Sequence, residues 1–269
     1  AALAAERDPG RRAALERDTA EWLHRAVKAV IPKFSLERGF EFANTVRLGE
    51  RQCLLQSVLI SGVLQQLGLR SGVAMVWRNE RGQESNLGHV VTVLRLTGGR
   101  DVLVDASDKS PFMRHQGLLV RDTAGPGAPY RFVRPRYADD DTITAYTAGK
   151  DVLGPAKVGL LDAAYVRSQF DYYRGERAPG GFIGPSTPEG LTRSARFLER
   201  AVKLSPANPL ATYVLGHVYR KQGRLELARR QYELAGRLYR AAGHVPAGVA
   251  DALKWARTAP DAPSARAER

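Results

Sequence analysis

The chain has 269 residues and a formal net charge of +13, and 43% of its residues are hydrophobic. This length fits two modest domains with real cores, and no apolar stretch is long enough to predict a transmembrane segment. The positive charge comes largely from arginine spread along the chain, without a nucleic-acid motif or a dense basic block, so no specific nucleic-acid partner is predicted. One cysteine excludes an internal disulfide and leaves the compartment open.

The N-terminal segment carries two signals. Ala2-Leu3-Ala4 resembles the small-residue end of a secretory signal, which is compatible with export to the periplasm or cell envelope as a processed chain; the alternative is a cytoplasmic protein. An amphipathic helix follows and is ended by Pro32. Trp22 lies on its apolar face and is predicted to be a core residue. The apolar positions of this helix are Leu15, Trp22, Leu23, Ala26, Val27 and Val30.

A second helix is predicted to begin at Cys53, where a polar stretch gives way to apolar residues at helical spacing, and Gly68 marks its end. Cysteine attacks as the thiolate, and the unpaired N–H groups at a helix N-terminus stabilise that anion. The position of Cys53 therefore predicts a nucleophile. The apolar residues of the helix are Leu54, Leu55, Val58, Leu59, Val63, Leu64 and Leu67.

Two β-strands are predicted downstream, one from His89 to Leu96 and one from Asp101 to Asp105. An imidazole beside a thiol can accept its proton and later act as general acid for the leaving group. A carboxylate can orient that imidazole ring. The order of cysteine, histidine and aspartate thus predicts a thiol-based catalytic site.

The loop between these strands decides whether His89 and Asp105 share a face, because side chains alternate with period two. A two-residue Gly98-Gly99 turn would leave them on opposite faces. A three-residue loop with Gly99 in the left-handed conformation would set Asp105 opposite Val91 and diagonal to His89 on the same face. We predict the three-residue loop, since glycine at its third position favours that turn.

The motifs Arg47-x-Gly49-x-x-x-Cys53 and Leu67-Gly68-Leu69-x-Ser71-Gly72-Val73 flank the helix, and the His89 and Asp105 strands follow. Together, residues 44–112 resemble the transglutaminase-like cysteine enzyme core, a superfamily of transglutaminases, peptidases, amidases and catalytically silent members. The resemblance implies a papain-like helix packed on an antiparallel sheet and a catalytic triad of Cys53, His89 and Asp105.

The function implied by this resemblance is acyl transfer on a peptide or protein amide through a thioester. Hydrolysis and transfer to an amine stay open, because water and amine compete for the same intermediate. The alternatives are a catalytically inactive protein of the same fold that binds protein partners, and a basic scaffold without chemistry.

The sequence gives weaker signals for an oxyanion hole and for metal ligands than for the three triad residues. Such enzymes often have glycine one or two residues before the nucleophile, where this chain has Glu50, Arg51 and Gln52. The backbone N–H of Cys53 is expected to form half of the oxyanion hole, with the Gln52 side chain as a candidate for the other half. No cofactor or metal is predicted, because the remaining histidines have no metal-ligand spacing to each other or to the cysteine. These are His24, His115, His217 and His244.

The C-terminal third resembles tetratricopeptide repeats. A Leu-Gly, Tyr, Gly, Ala, Tyr and Ala spacing runs from Leu215 to Ala235, and Ala201 and Pro206 match the second helix of a preceding repeat. Residues 245–257 could supply a capping helix. The resemblance implies either a groove for a protein partner or a helical buttress for the enzyme domain, and the small number of repeats favours the buttress.

The predicted fold class is α+β, a papain/transglutaminase-like helix packed on an antiparallel sheet, followed by an all-α tetratricopeptide-like domain. Short β-like runs at 117–121 and 130–133, split by a Gly/Pro turn at 124–129, are expected to extend the sheet. The Gly/Pro-rich segment 176–190 is interpreted as a linker, with an ordered loop over the active-site cleft as the alternative. The predicted domains are the enzyme domain with its N-terminal helix (1–175), the linker (176–190), the helical region (191–258) and a disordered tail (259–269).

Overall fold

The computed structural model describes residues 2–123 and 129–258, apart from the side chains of Ala2, Ala4, Asn86 and Leu87. Residues 124–128 of the predicted turn and the predicted disordered tail, 259–269, lie outside the described residues. The chain divides into two compact units, Ala1–Asp162 and Ala163–Arg269.

The first unit contains helices, mostly antiparallel strands and a short 3₁₀ turn at Pro155–Lys157. Its helices are α1 (Ala2–Ala5), α2 (Pro9–Val30), α3 (Phe42–Leu48) and α4 (Cys53–Gln66). Its strands are β1 (Lys33–Phe34), β2 (Glu50–Arg51), β3 (Arg70–Arg78), β4 (Glu84–Arg95), β5 (Asp101–Val104), β6 (Gly117–Asp122), β7 (Tyr130–Tyr137), β8 (Ile143–Ala148), β9 (Asp151–Leu153) and β10 (Val158–Gly159).

Six of these strands close into an antiparallel barrel. The order around the barrel is β3, β4, β5, β8, β7 and β6, and β6 pairs back onto β3 through Met75 and Leu119. β9 extends β8, and β10 extends β6. The short β1 and β2 form a separate parallel pair just before Cys53.

The two faces of the barrel wall have different apolar neighbours, as the period-two alternation of strands requires. One face of each strand fills the interior, where Ala74, Val91, Leu103, Leu118 and Val133 are fully buried together. The other face of β4 and β5 is covered by α2 and α4. The outer layer contains Ala20, Leu23, Ile60, Leu64, Leu94, Val102 and Val104. β4 and β5 are therefore buried on both faces.

A buried ionic cluster lies inside the barrel at one end. Asp101 is completely buried and accepts hydrogen bonds from Arg95 Nε at 3.0 Å, Arg95 Nη2 at 3.2 Å and the Tyr146 hydroxyl at 2.7 Å. Burial and the nearby Asp101 charge raise the pKa of Tyr146 well above its ordinary value, so its hydroxyl keeps its proton and donates. Because β4 runs from His89 towards Arg95, this cluster and the predicted site lie at opposite ends of the apolar interior.

The second unit consists of helices over its described residues. They are α5 (Ala163–Glu176), α6 (Pro188–Leu204), α7 (Pro209–Lys221), α8 (Leu225–Ala241) and α9 (Ala247–Thr258), and each contacts the next. Buried polar groups join α5 to α6 and to the start of α7. The Ser168 hydroxyl donates to the Ala201 carbonyl at 2.8 Å, and Asn208 Nδ2 donates to Ser168 Oγ at 3.0 Å. The segment predicted as a linker lies within this unit and packs closely, with Gly190 directly against the Gly180 carbonyl.

The predicted fold class is wrong. The strands do not form an open sheet backing one helix, because the β3 to β6 and β5 to β8 pairings close them into a barrel. The all-α tetratricopeptide-like domain is wrong with it: the helical unit already begins at α5, and its first helices are joined by the buried hydrogen bond between Asn208 and Ser168 and by a separate, partly buried ion pair between Asp171 and Arg200. Closure depends on pairings distant in sequence, which strand periodicity does not reveal.

The N-terminal helix forms as predicted, and Leu23 and Val27 of its predicted apolar face pack on the core, but Trp22 and Val30 of that face are exposed. α2 buries Glu16, Ala20, Leu23 and His24, whereas Trp22 is 58% exposed, so the prediction that Trp22 is a core residue was wrong. Across residues 2–123 and 129–258, the helices are all too short or too polar to cross a membrane.

Candidate active site

Cys53 is the first residue of α4, as its sequence position predicted. Gln52 caps the helix by accepting a hydrogen bond from the Leu54 N–H through its side-chain oxygen at 3.3 Å. Further along, the Ser57 hydroxyl donates to the Val90 carbonyl at 3.0 Å and the Thr92 hydroxyl donates to the Ser57 carbonyl at 2.9 Å. These two buried bonds fix α4 against β4, so the start of the helix is held beside the start of the His89 segment.

His89 is directed by an irregularity in β4. The pairing of β3 with β4 is interrupted beyond the Val76 and His89 pair, and Gly88 has a φ of 75°, a left-handed conformation that favours glycine. From His89 onward the ladder is regular, and His89 shares the inward face with Val91. The imidazole therefore lies at the mouth of the barrel, with its side chain 23% exposed.

The strand register places Asp105 on the same face, as predicted. Thr92 pairs with Val104, which sets Asp105 opposite Val91, and the connecting loop has three residues, with Gly99 at a φ of 83°. The buried Glu16 carboxylate holds this loop by accepting hydrogen bonds from the Thr97 N–H at 2.6 Å and the Thr97 hydroxyl at 2.7 Å. Helix α2 thus supports the turn that determines the register.

Asp105 is buried, and both of its carboxylate oxygens accept hydrogen bonds. Oδ2 lies 2.6 Å from His89 Nε2, and Oδ1 accepts the Ser107 N–H at 2.9 Å. His89 also forms a side-chain hydrogen bond with Cys53. Since Nε2 faces Asp105, Nδ1 is the ring nitrogen left for the thiol. The structure therefore brings Cys53, His89 and Asp105 together in the order thiol, imidazole, carboxylate.

A fourth residue, His115, completes the cluster and was missed by the sequence analysis. Its Nε2 lies 3.0 Å from Asp105 Oδ2, its ring packs edge-on against His89 at 5.5 Å, and its carbonyl accepts a hydrogen bond from Tyr137 at 2.7 Å. The loop after β5 returns His115 to this position through a bridge between Val104 and Phe112. Its spacing from the other residues carries no signal that could have identified it.

The electrostatics of the site favour a protonated His89. Burial lowers the pKa of His89, but the charge and hydrogen bond of Asp105, followed by the hydrogen bond and charge of Cys53, outweigh burial and raise the pKa well above 6.5. In the same way, burial raises the pKa of Asp105, but the charge of His89 and the hydrogen bonds from His115 and His89 hold it below its usual range. The imidazolium is therefore held between a carboxylate and the thiol.

A cavity of about 290 Å³ opens beside this cluster. His89, Asp105 and His115 form part of its wall, so a bound molecule would contact the imidazole directly. The rest of the wall is polar and includes Glu80, Glu84, Asp108, Asn79, Gln83, Ser85 and Ser107. Cys53 is buried and does not line this cavity, so the cavity adjoins the cluster on the side of His89 and Asp105.

Gln56 and Gln52 are the amide side chains nearest the nucleophile in sequence. Gln52 Oε1 is used as the helix cap. Gln56 Nε2 donates to Ser107 Oγ at 2.6 Å, and its buried Oε1 has no hydrogen-bond partner within the part of the chain that the structure describes. The Gln52 role in an oxyanion hole stays a prediction, as does the contribution of the Cys53 N–H.

The donor atoms of His89, Asp105 and His115 lie within 4.8 Å of one another, which is close enough for a metal ion to be considered. Zinc ligands sit about 2.0–2.2 Å from the ion, so two ligands of one tetrahedral ion lie roughly 3.3 Å apart. The 2.6 Å separation of His89 Nε2 and Asp105 Oδ2 is shorter and is typical of a shared proton. The geometry favours a hydrogen-bonded triad over a metal centre.

Removal of divalent metals is therefore expected to leave the site unchanged. After dialysis against a chelator, the midpoint of thermal unfolding and the rate of Cys53 alkylation by iodoacetamide should equal those of the untreated protein. Added zinc in slight excess serves as the reverse test. A chelator-induced loss of thermal stability would instead assign His89, Asp105 and His115 as metal ligands.

Comparisons with protein-family models, with curated proteins and with solved structures find no match, and none of them links the chain to transglutaminase-like enzymes or tetratricopeptide repeats. The geometry of this chain is therefore what supports a proposal for its function.

Proposed function

We propose that the protein is a cysteine-dependent acyl-transfer enzyme that acts on an amide bond of a peptide or protein. The observation that carries the proposal is the hydrogen-bonded series from Cys53 through His89 to the buried Asp105, placed at the start of a helix and beside a cavity. Each member has the environment its role requires: a helix N-terminus for the thiolate, a raised pKa for the imidazole and a lowered pKa for the carboxylate.

The first half of the reaction follows from these positions. The Cys53 thiolate attacks the carbonyl carbon of the amide, and the carbonyl electron pair moves to oxygen. The His89 imidazolium then donates its proton to the departing amine, the carbon–nitrogen bond breaks, and a thioester forms. Asp105 stays ionised and keeps the ring oriented towards the thiol.

The second half returns the enzyme to its starting state. A water molecule or an amine attacks the thioester, neutral His89 accepts its proton, and the thiolate leaves. The product is a carboxylic acid when water attacks and a new amide when an amine attacks. Both outcomes use the same residues, so this geometry supports the reaction class and leaves the acceptor open.

The pH dependence of Cys53 alkylation by iodoacetamide tests the proposal. Because the pKa of His89 is raised, its positive charge persists through pH 6.5 and is lost only as pH rises through that higher pKa. We expect Cys53 to be alkylated at pH 6.5 much faster than a free thiol, which ionises only near pH 8.5, because the positive charge of His89 beside it is present at pH 6.5. A label on a thiol can only be at Cys53, because the chain has one cysteine.

N-Acetylcysteine, measured in parallel, gives the reactivity of an unperturbed thiol. A rate for Cys53 that rises only near pH 8.5, or labelling only after unfolding in urea, would contradict the proposal and point to an inert thiol in a binding protein. Once a substrate is found, the alkaline limb of its pH–rate profile should lie above 6.5, because loss of the His89 proton removes the general acid.

A further inference from the structure

The cavity beside His89 carries the opposite charge to the rest of the molecule. The chain has a net charge of +13, yet the cavity wall contains Glu80, Glu84, Asp105 and Asp108, and no lysine or arginine among the described residues. Asp105 is balanced by His89. Arg78 lies 3.6 Å from Glu84, and Arg81, whose side chain is 78% exposed, lies 3.5 Å from Glu80, both outside the wall itself.

A buried ring nitrogen gives independent evidence about what the cavity binds. His115 is 3% exposed, and its Nδ1 has no hydrogen-bond partner among the described residues. Because Nε2 faces Asp105 Oδ2 and donates to it, the tautomer that this bond favours has its lone pair on Nδ1. Nδ1 lies 3.8 Å from a Glu80 carboxylate oxygen, and both residues line the cavity. An unpaired acceptor beside a carboxylate requires an N–H donor, ideally a charged one.

We infer that the substrate carries a cationic N–H group, an ammonium or a guanidinium, that binds in this cavity against His115 Nδ1 and Glu80. This inference deepens the proposed function and rests on it. On a peptide, such groups belong to a lysine or arginine side chain or to a free amino terminus. The group would satisfy the orphaned nitrogen and be attracted by the carboxylates, whereas an anionic group would face them unpaired.

Thiol reagents that share one reactive group and differ in the charge of the transferred tail test this inference on the intact chain. The Cys53 thiolate displaces methanesulfinate from methanethiosulfonates and forms a mixed disulfide, and the transferred tail can be ammonium (aminoethyl), trimethylammonium, neutral (methyl) or sulfonate. After normalisation to N-acetylcysteine, we expect the ammonium reagent to react about tenfold faster than the methyl reagent and the sulfonate reagent to be slowest. The trimethylammonium reagent should fall between, because it has the charge without the N–H donor.

The variant Glu80→Gln keeps the shape of the side chain and removes one charge, so it should reduce the ammonium preference severalfold. Glu21→Gln is the matched control, since Glu21 is partly exposed on α2, pairs with Arg25 and does not line the cavity. Equal normalised rates for the ammonium, methyl and sulfonate reagents would overturn the inference while leaving the proposed function intact.

A binding measurement decides the inference even if the thiol proves inert, an outcome that would contradict the proposed function alone. Butylammonium and butylguanidinium are titrated against the Cys53→Ser chain while the His115 ring resonances are followed by NMR. We expect saturable shifts at millimolar concentration for at least one ion, weakened by Glu80→Gln and unchanged by Glu21→Gln. Comparison of the two ions separates a lysine-type from an arginine-type group. Shifts no larger than those caused by sodium chloride would refute the inference.

Discussion

Replacement of His89 by alanine is expected to lower the rate of Cys53 alkylation at pH 6.5 by up to about 100-fold. An ordinary thiol with a pKa near 8.5 is about 1% thiolate at that pH, so loss of the imidazolium can cost at most this factor if the parent thiol is fully ionised. His89 is the residue that contacts both the thiol and Asp105. The measurement is the second-order rate constant with iodoacetamide, read by mass spectrometry.

Two comparisons make this result specific. Asp105→Asn should lower the rate less, by roughly tenfold. It removes the carboxylate that raises the pKa of His89, so the ring stays in place but carries its positive charge less of the time. His244→Ala, a histidine of the helical unit, should leave the rate unchanged. Circular dichroism establishes that each variant is folded. An unaltered rate in a folded His89→Ala protein would show that the imidazole does not activate Cys53.

Replacement of Asp101 by alanine is expected to reduce the free energy of unfolding by about 3–5 kcal/mol. Removing one partner of a buried ion pair leaves the other charge uncompensated, and that cost is of this size. Asp101 is completely buried and accepts three hydrogen bonds from Arg95 and Tyr146, and the Arg95 side chain is only 15% exposed. Urea unfolding followed by circular dichroism measures the change.

An exposed ion pair supplies the control for this experiment. Glu21 and Arg25 lie one helical turn apart on α2 with side chains 39% and 63% exposed, so Glu21→Gln should change the free energy of unfolding by less than about 1 kcal/mol. Asp101→Asn should fall between the two variants, because the amide retains some of the hydrogen bonds. If Asp101→Ala were as stable as the parent, the barrel end would have to rearrange or admit water around Arg95.

The local parts of the site could be predicted because the signals for them are local. Cys53 stands where polar residues give way to helical apolar spacing, and a helix begins there. Gly99 at the third loop position favours a three-residue turn, which sets the register that brings Asp105 to the face of His89. His115 could not be predicted, because a loop without periodicity carries it back to Asp105.

The closure of the barrel could not be predicted for a different reason. An alternating strand looks the same in an open sheet as in a barrel, and the difference lies in which strands pair. Here, β6 returns to β3, and β8 reaches β5 through Asp101 and Ile143. Trp22 shows the same limit on a helix: the apolar stripe of α2 was identified, but its orientation depends on a neighbouring layer that the helix sequence does not specify.

The contact between β5 and β8 has a consequence for local unfolding. These strands share one registered pair, Asp101 with Ile143, whereas β5 pairs with β4 along its full length. Beyond that pair, the bridge from Val104 to Phe112 holds the loop that carries His115. Regions with few ladder bonds open at lower free energy than a continuous sheet. Amide hydrogens around His115 should thus exchange with solvent through small openings that leave the β3–β4 ladder closed, so we expect the end of the barrel that holds Cys53, His89 and Asp105 to open without global unfolding.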